Sequence, residues 1–119
     1  MTKVDKLRFG SIVINGKKYR HDVTILPDGT VKRRKGGLWM FGSHSVKEDE
    51  IQEIMNGEVS MLVIGTGTNG VARLSKEAQK LAERKNFNLS VLPSEEAVGL
   101  FNTLMKDGES VGAIIHVTC

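Results

Sequence analysis

The spacing of hydrophobic residues changes character along the chain. Residues 8–35 carry the two-residue period of strands, as in "FGSIVINGKKYRHDVTI", because successive side chains of a strand point to opposite faces. Asn15-Gly16 interrupts this run and predicts a hairpin, since both central positions of the tight turn need positive φ. Val23 and Ile25 lie on the next strand, Pro27-Asp28-Gly29 marks a second turn, and Val31 to Arg34 form a third strand. The first third of the chain therefore reads as an antiparallel meander.

A glycine-punctuated loop, "GGLWMFGSH" (36–44), comes next. Ser45-Val46-Lys47-Glu48 then fits a capping box and predicts a helix opened by Ser45. Val46, Ile51, Ile54 and Met55 follow at helical spacing, with Gly57 as the C-terminal cap. Beyond that point, short apolar runs alternate with helical periods. "SMLVI" (60–64) is unbroken, which predicts a strand buried on both faces. A helix is expected from about Ser75 to Lys85, turning Ala78, Leu81 and Ala82 inward. "NLSVL" (88–92) alternates and predicts an edge strand. Ser94 is placed as the cap of a third helix, with Glu95 and Glu96 in the first turn, where the helix dipole favours them. Ala97, Val98, Phe101, Leu104 and Met105 form its inner face, and Gly108 ends it. "VGAIIHVTC" (111–119) is apolar on both sides, with Val111, Ala113, Ile115 and Val117 on one and Ile114 and His116 on the other, so it predicts a central strand.

The order βββ, then α-β-α-β-α-β, predicts an α/β fold of three layers (β+β/α). An N-terminal antiparallel hairpin layer packs near a mixed central sheet backed by helices. With 119 residues the chain reads as one domain, 1–119. At 39% hydrophobic and 26% charged, its composition is that of an ordinary soluble domain. No apolar run approaches the ~20 residues of a membrane span. "MTKVDKLRFG" lacks the apolar core of a signal peptide. A cytoplasmic location and no membrane partner are expected. The net charge of +3 permits an acidic partner without demanding one.

Candidate chemistry concentrates in "LVIGTGTNGVA" (62–72), where Gly65-Thr66-Gly67-Thr68-Asn69-Gly70 matches G-x-G-x-x-G after a buried strand. Such a loop binds a pyrophosphate when its glycines admit the backbone and a helix N-terminus follows at once. Here the best cap, Ser75, lies five residues past Gly70, and the acidic candidates Glu95 and Glu96 already stand inside a helix start. The first reading is a glycine-rich turn. The alternative is a small-ligand or anion pocket, serving a binding domain or an enzyme. Gly65, Thr66, Gly67 and Thr68 would line it, with His44 and His116 adding polar groups.

Other constellations are thinner. No Gly-Lys-Ser/Thr phosphate loop, G-x-S-x-G or H-E-x-x-H occurs, so no catalytic residue and no cofactor is assigned. A metal is not expected either. His44, His116 and Cys119 lack paired spacing, and residues i and i+3 on a strand face opposite ways. His21 reads as a solvated surface residue, and His116 as a hydrogen-bonded core residue. In "VKRRKGGLWMF" (31–41) the basic residues Lys32 to Lys35 give a third reading, nucleic-acid binding. Basic residues on an alternating strand more commonly mark a solvated face or a guarded edge, so no nucleic-acid partner is expected. Trp39, Met40 and Phe41 are the candidate protein interface.

"MLVIGTG" followed by a helix, "VLPSEEAVGLFNTLMKDG", "VGAIIHVTC", "FGSIVINGKKY" and the helix after "GSHS" together resemble a small single-domain family of unknown biochemical function. That family includes the adipogenesis-associated domain protein of animals and, distantly, a mitochondrial assembly factor of respiratory complex I. The resemblance covers most of the chain and is strongest over 60–119. It implies a three-layer fold with a mixed central sheet, in which Gly65 and Gly67 leave a central strand at a structural turn. It also implies roles in assembly and differentiation rather than a reaction, although the complex I role belongs to a distant mitochondrial branch. The leading expectation is a non-enzymatic domain with a protein-interaction or scaffold role, through a protein partner or self-association.

Overall fold

The structure, a computed structural model, describes residues 2–34, 45–55, 59, 61–70, 72–85 and 88–118. The elements in chain order begin with β1 (Val4–Arg8), β2 (Ser11–Ile14), β3 (Lys17–Tyr19), β4 (Val23–Ile25), β5 (Val31–Arg33) and β6 (Ser45–Val46). There follow α1 (Glu48–Met55), β7 (Met61–Gly65), β8 (Arg73–Leu74), α2 (Lys76–Lys85), β9 (Asn88–Leu92), α3 (Ser94–Lys106) and β10 (Val111–Ile115).

The expected meander exists only in part, because it divides between two sheets. β1, β2 and β3 form an antiparallel three-stranded sheet, with Asn15 and Gly16 at φ +50° and +81° in the β2–β3 turn. β4 and β5 instead join a five-stranded mixed sheet in the order β5-β4-β10-β7-β9. The reason lies in burial. Val23, Thr24 and Ile25 are all buried, so β4 needs cover on both faces and pairs with β10 rather than with the exposed β3. β10 is the central strand and β9 an edge, as their patterns predicted. β7 and β9 run parallel, and so do β7 and β10.

Each face of the large sheet has its own core. Leu62, Ile64 and Ile114 pack against Ile51 and Ile54 of α1 and Ala78 and Leu81 of α2. On the other face Val63, Ala113 and Ile115 meet Ala97 and Phe101 of α3, together with Val4, Ile12 and Ile14 of the small sheet. Three layers result, one of helices, one of mixed sheet, and one shared by α3 and the hairpin sheet. α1 approaches β10 at Gly112, where a Cβ would collide with the Ile54 side chain.

Two expected caps are corrected. Ser45 does not open α1. Ser45 and Val46 form β6, which pairs in parallel with β8, and the helix begins at Glu48. The reciprocal cap is shifted two residues. The Glu50 carboxylate accepts the Lys47 N–H at 2.7 Å, and the Glu50 N–H donates to the Lys47 carbonyl at 3.1 Å. Fully buried Val46 belongs to the core beside α1 and holds that stretch extended. Ser94 likewise makes no cap hydrogen bond, and Pro93 occupies the cap position of α3. Ser75 does cap α2, accepting the Ala78 N–H at 3.1 Å. Gly108, at φ +81°, ends α3, with its N–H on Met105 O and that of Glu109 on Leu104 O.

Candidate functional site

Asp22, Arg34 and His116 flank β4, β5 and β10 at one end of the large sheet. Antiparallel pairing brings the start of β4 beside the ends of β5 and β10. Glu50, in the first turn of α1, closes the group from the helical layer. All four are buried, with at most 2% of each residue exposed. Arg34 Nε lies 2.5 Å and Nη2 3.3 Å from the Glu50 carboxylate, while Nη1 lies 2.9 Å from Asp22 Oδ2. Asp22 Oδ2 also meets His116 Nδ1 at 2.7 Å, and Asp22 Oδ1 accepts the Val117 N–H at 2.9 Å. His116 Nε2 stands 3.2 Å from Thr118 Oγ1. Burial works against the charge on Arg34, but Glu50 and then Asp22 outweigh it and hold its pKa above the ordinary value.

Carboxylate, imidazole and hydroxyl stand here in the order of a nucleophile relay. A nucleophile must also reach substrate, and Thr118 is only 5% exposed. The grooves described below are lined by neither His116 nor Thr118. Among the described residues no group of three or more His, Cys, Asp or Glu is placed to hold a metal.

The glycine loop sits directly against this centre. The His116 N–H donates to Gly65 O at 2.9 Å, and the Thr68 N–H to Thr118 O at 2.7 Å. Thr66 N–H donates to Leu92 O, Gly67 N–H to Ser94 Oγ, Gly70 N–H to Gly67 O, and Ala72 N–H to Thr66 O. Anion binding needs free N–H groups, and these are engaged within the chain. Ser94 Oγ, while accepting from Gly67, donates to His116 O at 2.5 Å. The loop is thus fastened to the start of α3, and it reaches α2 only after β8.

Gly65 and Thr68 of the loop contact the segment of His116 and Thr118 through backbone hydrogen bonds, while Thr66 and Gly67 are bonded to Leu92 and Ser94. His44, Trp39, Met40, Phe41, Lys35 and Cys119 lie outside the described residues. The basic strand is corrected at Arg34, which is buried rather than solvated, because two carboxylates from other elements receive it. Lys32 is paired with Glu53 at 2.8 Å, and Arg33 is exposed. His21 is partly buried, with Nδ1 2.8 Å from Asp22 O. Asp22, Arg34 and Glu50 escaped the sequence reading as a group. Glu50 left one usable signal, since it precedes the core residue Ile54 by four positions and so shares its helix face.

Two open grooves flank the centre. One, of about 410 Å³, runs between β1 and α3 past Leu7, Phe9, Thr68, Glu95 and Val98. The other, of about 680 Å³, lies along Thr66, Gly70, Ala72, Leu74, Leu89 and Val91.

The fold is that of a small α/β domain with an enclosed ionic centre, and it matches Mth938-like domains. A Mth938-like domain from Bordetella pertussis shares it at 16% identity and a TM-score of 0.71, over 98% of this chain and 85% of that one. Residues 4–116 match the family described as "Protein of unknown function (DUF498/DUF598)", and the chain belongs to that family. A conserved hypothetical protein from Pyrococcus horikoshii is 31% identical over 98% of this chain and 99% of its own, with a TM-score of 0.82. A protein named MT938 is 29% identical over 100% of both chains, with a TM-score of 0.80. Among the described residues no helix is long and apolar enough to cross a membrane.

Proposed function

We propose that this chain is a cytoplasmic docking domain that acts in assembly or scaffolding and catalyses no reaction of its own. Phe9 is the observation that supports this reading. It is 66% exposed, on the turn between β1 and β2. The next residue, Gly10, has φ +85°, and its N–H donates to Val117 O at 2.8 Å, pinning the turn to the large sheet. A large aromatic on a fixed turn loses little freedom on binding, which is the property of an interface anchor. Trp39, Met40 and Phe41 are proposed as a second apolar contact. The resemblance to a family whose described roles concern assembly and differentiation supports this reading in preference to a reaction. The test is affinity purification with cross-linking, comparing the native chain with Phe9→Ser and Trp39→Ala. Stoichiometric recovery of a partner that Phe9→Ser abolishes, with circular dichroism unchanged, is the expected result. Recovery indifferent to both substitutions sinks the reading.

A second reading, a small-ligand pocket at Gly65, Thr66, Gly67 and Thr68 with His44 and His116, is favoured by the groove against Thr66 and Gly70. It lies at the C-terminal ends of β7 and β9, where open α/β sheets tend to place ligands. Native mass spectrometry of freshly purified protein tests it. Extra mass that disappears on denaturation supports a retained ligand. A bare mass together with flat amide shifts over 65–70 on nucleotide titration rejects it.

A further inference from the structure

We propose that β9 is a self-association edge. Two copies pair their β9 strands antiparallel about a two-fold axis through Ser90, joining two five-stranded sheets into one continuous sheet. The surface is separate from Phe9, which lies on the small sheet's β1–β2 turn, so the two proposals stand or fall independently.

Backbone polarity carries the first step. Met61 N–H donates to Ser110 O, and Gly65 O accepts from His116 N–H, so the odd-numbered residues of β7 face β10. Thr66 N–H donates to Leu92 O, which turns the even-numbered residues of β7 toward β9. By alternation along a parallel pair, Asn88, Ser90 and Leu92 bond to β7, and the N–H and C=O of Leu89 and Val91 point outward. Among the described residues no backbone hydrogen bond outside the sheet pairing reaches those outward groups.

Charge carries the second. Exposed edges are normally guarded by charged residues, bulges or cover. The opposite edge, β5, carries Lys32 and Arg33. β9, Asn-Leu-Ser-Val-Leu, carries no charge, and its Val91 is 43% exposed. The groove along Leu89 and Val91, lined also by Thr66, Arg73 and Gln79, leaves room beside the strand.

Self-complementarity selects the occupant. With Ser90 on the axis, Leu89 stands opposite Val91 of the second copy, and Val91 opposite its Leu89. Each of these pairs exchanges two N–H···O=C bonds, so all the outward groups at 89 and 91 in both copies are satisfied. Leu89 and Val91 share a strand face, so each pair also buries apolar side chains together. The two Ser90 hydroxyls meet at the axis, and no like charges oppose each other along the strand.

Sedimentation equilibrium of the full chain across a wide concentration range is the test, with hydrogen exchange at residues 89 and 91. The expected result is a concentration-dependent dimer, with these amides protected at high concentration and exposed on dilution. Val91→Pro removes an outward N–H without taking a bond from the β7 ladder, so the measured mass should halve while circular dichroism stays native. Ser90→Lys sets two ammonium groups at the axis and should do the same, and it carries the test if the proline variant fails to fold. A native chain that stays monomeric throughout overturns the proposal. So does a dimer that survives Ser90→Lys with its 89 and 91 amides exposed.

Discussion

Arg34 is a cation held by two carboxylates from other parts of the chain, Asp22 at 12 residues' separation and Glu50 at 16. Removing it leaves two buried anions facing each other. Arg34→Ala is therefore expected to cost about 3–5 kcal/mol in urea unfolding. Thr24 presents the opposite case. It is fully buried in β4, and among the described residues its Oγ1 finds no hydrogen-bond partner. Thr24→Val keeps the shape and removes an unpaired hydroxyl, so a gain of about 1 kcal/mol is expected in the same assay. At the surface, the Asp28 carboxylate accepts the Thr30 N–H at 2.8 Å, which holds its pKa below the ordinary carboxylate value. A depressed folded pKa stabilises the fold above the unfolded value and loses that contribution as pH falls through the folded one. Carboxyl NMR should thus find Asp28 titrating below the ordinary aspartate value, and Asp28→Ala should flatten the acid limb of stability. At this scale the sequence was least informative. His116 was readable as hydrogen-bonded core because it ends an apolar strand. Arg34 looked like its solvated neighbours Lys32 and Arg33, since what distinguishes it is supplied only by tertiary partners.

Between elements, contact is made where side chains are missing. α1 can approach β10 because position 112 is glycine, and a Cβ there would strike Ile54. Gly112→Ala is expected to destabilise by about 1–3 kcal/mol through overpacking. If the collision with Ile54 is the cause, adding Ile54→Ala should recover part of that loss, measured as the coupling in a double-mutant cycle. Gly65 plays the same part for α3, where an added Cβ would lie 2.8 Å from Ser94 Oγ. Helical periods made α2 and α3 legible, alternation made β9 legible, and apolar runs made β7 and β10 legible, while glycine signals located the β2–β3 turn and the end of α3. β6 and β8 were not legible, because two-residue strands have no period and exist only by pairing with each other. The division of the meander was hidden for a related reason. Alternation identifies a strand but not the sheet it joins.

For the molecule as a whole, the sequence predicted the layers, while the pairing of distant segments decided their arrangement. Two cores share one sheet, and β10 takes part in both through Ala113 and Ile115 on one face and Ile114 on the other. Amide exchange should accordingly be slowest at these three residues and fastest at the chain's exposed turns. The position of β10 also has a consequence for biosynthesis. In a nascent chain that has emerged only through α3, the β4–β5 hairpin and the β7–β9 pair lack the strand that lies between them in the large sheet. Asp22 must wait for His116, 94 residues later, before its site can close. Assembly of the large sheet is thus deferred until the β10 segment leaves the ribosome. Until then the incomplete chain shows unpaired strands to its surroundings and is exposed to aggregation in that interval.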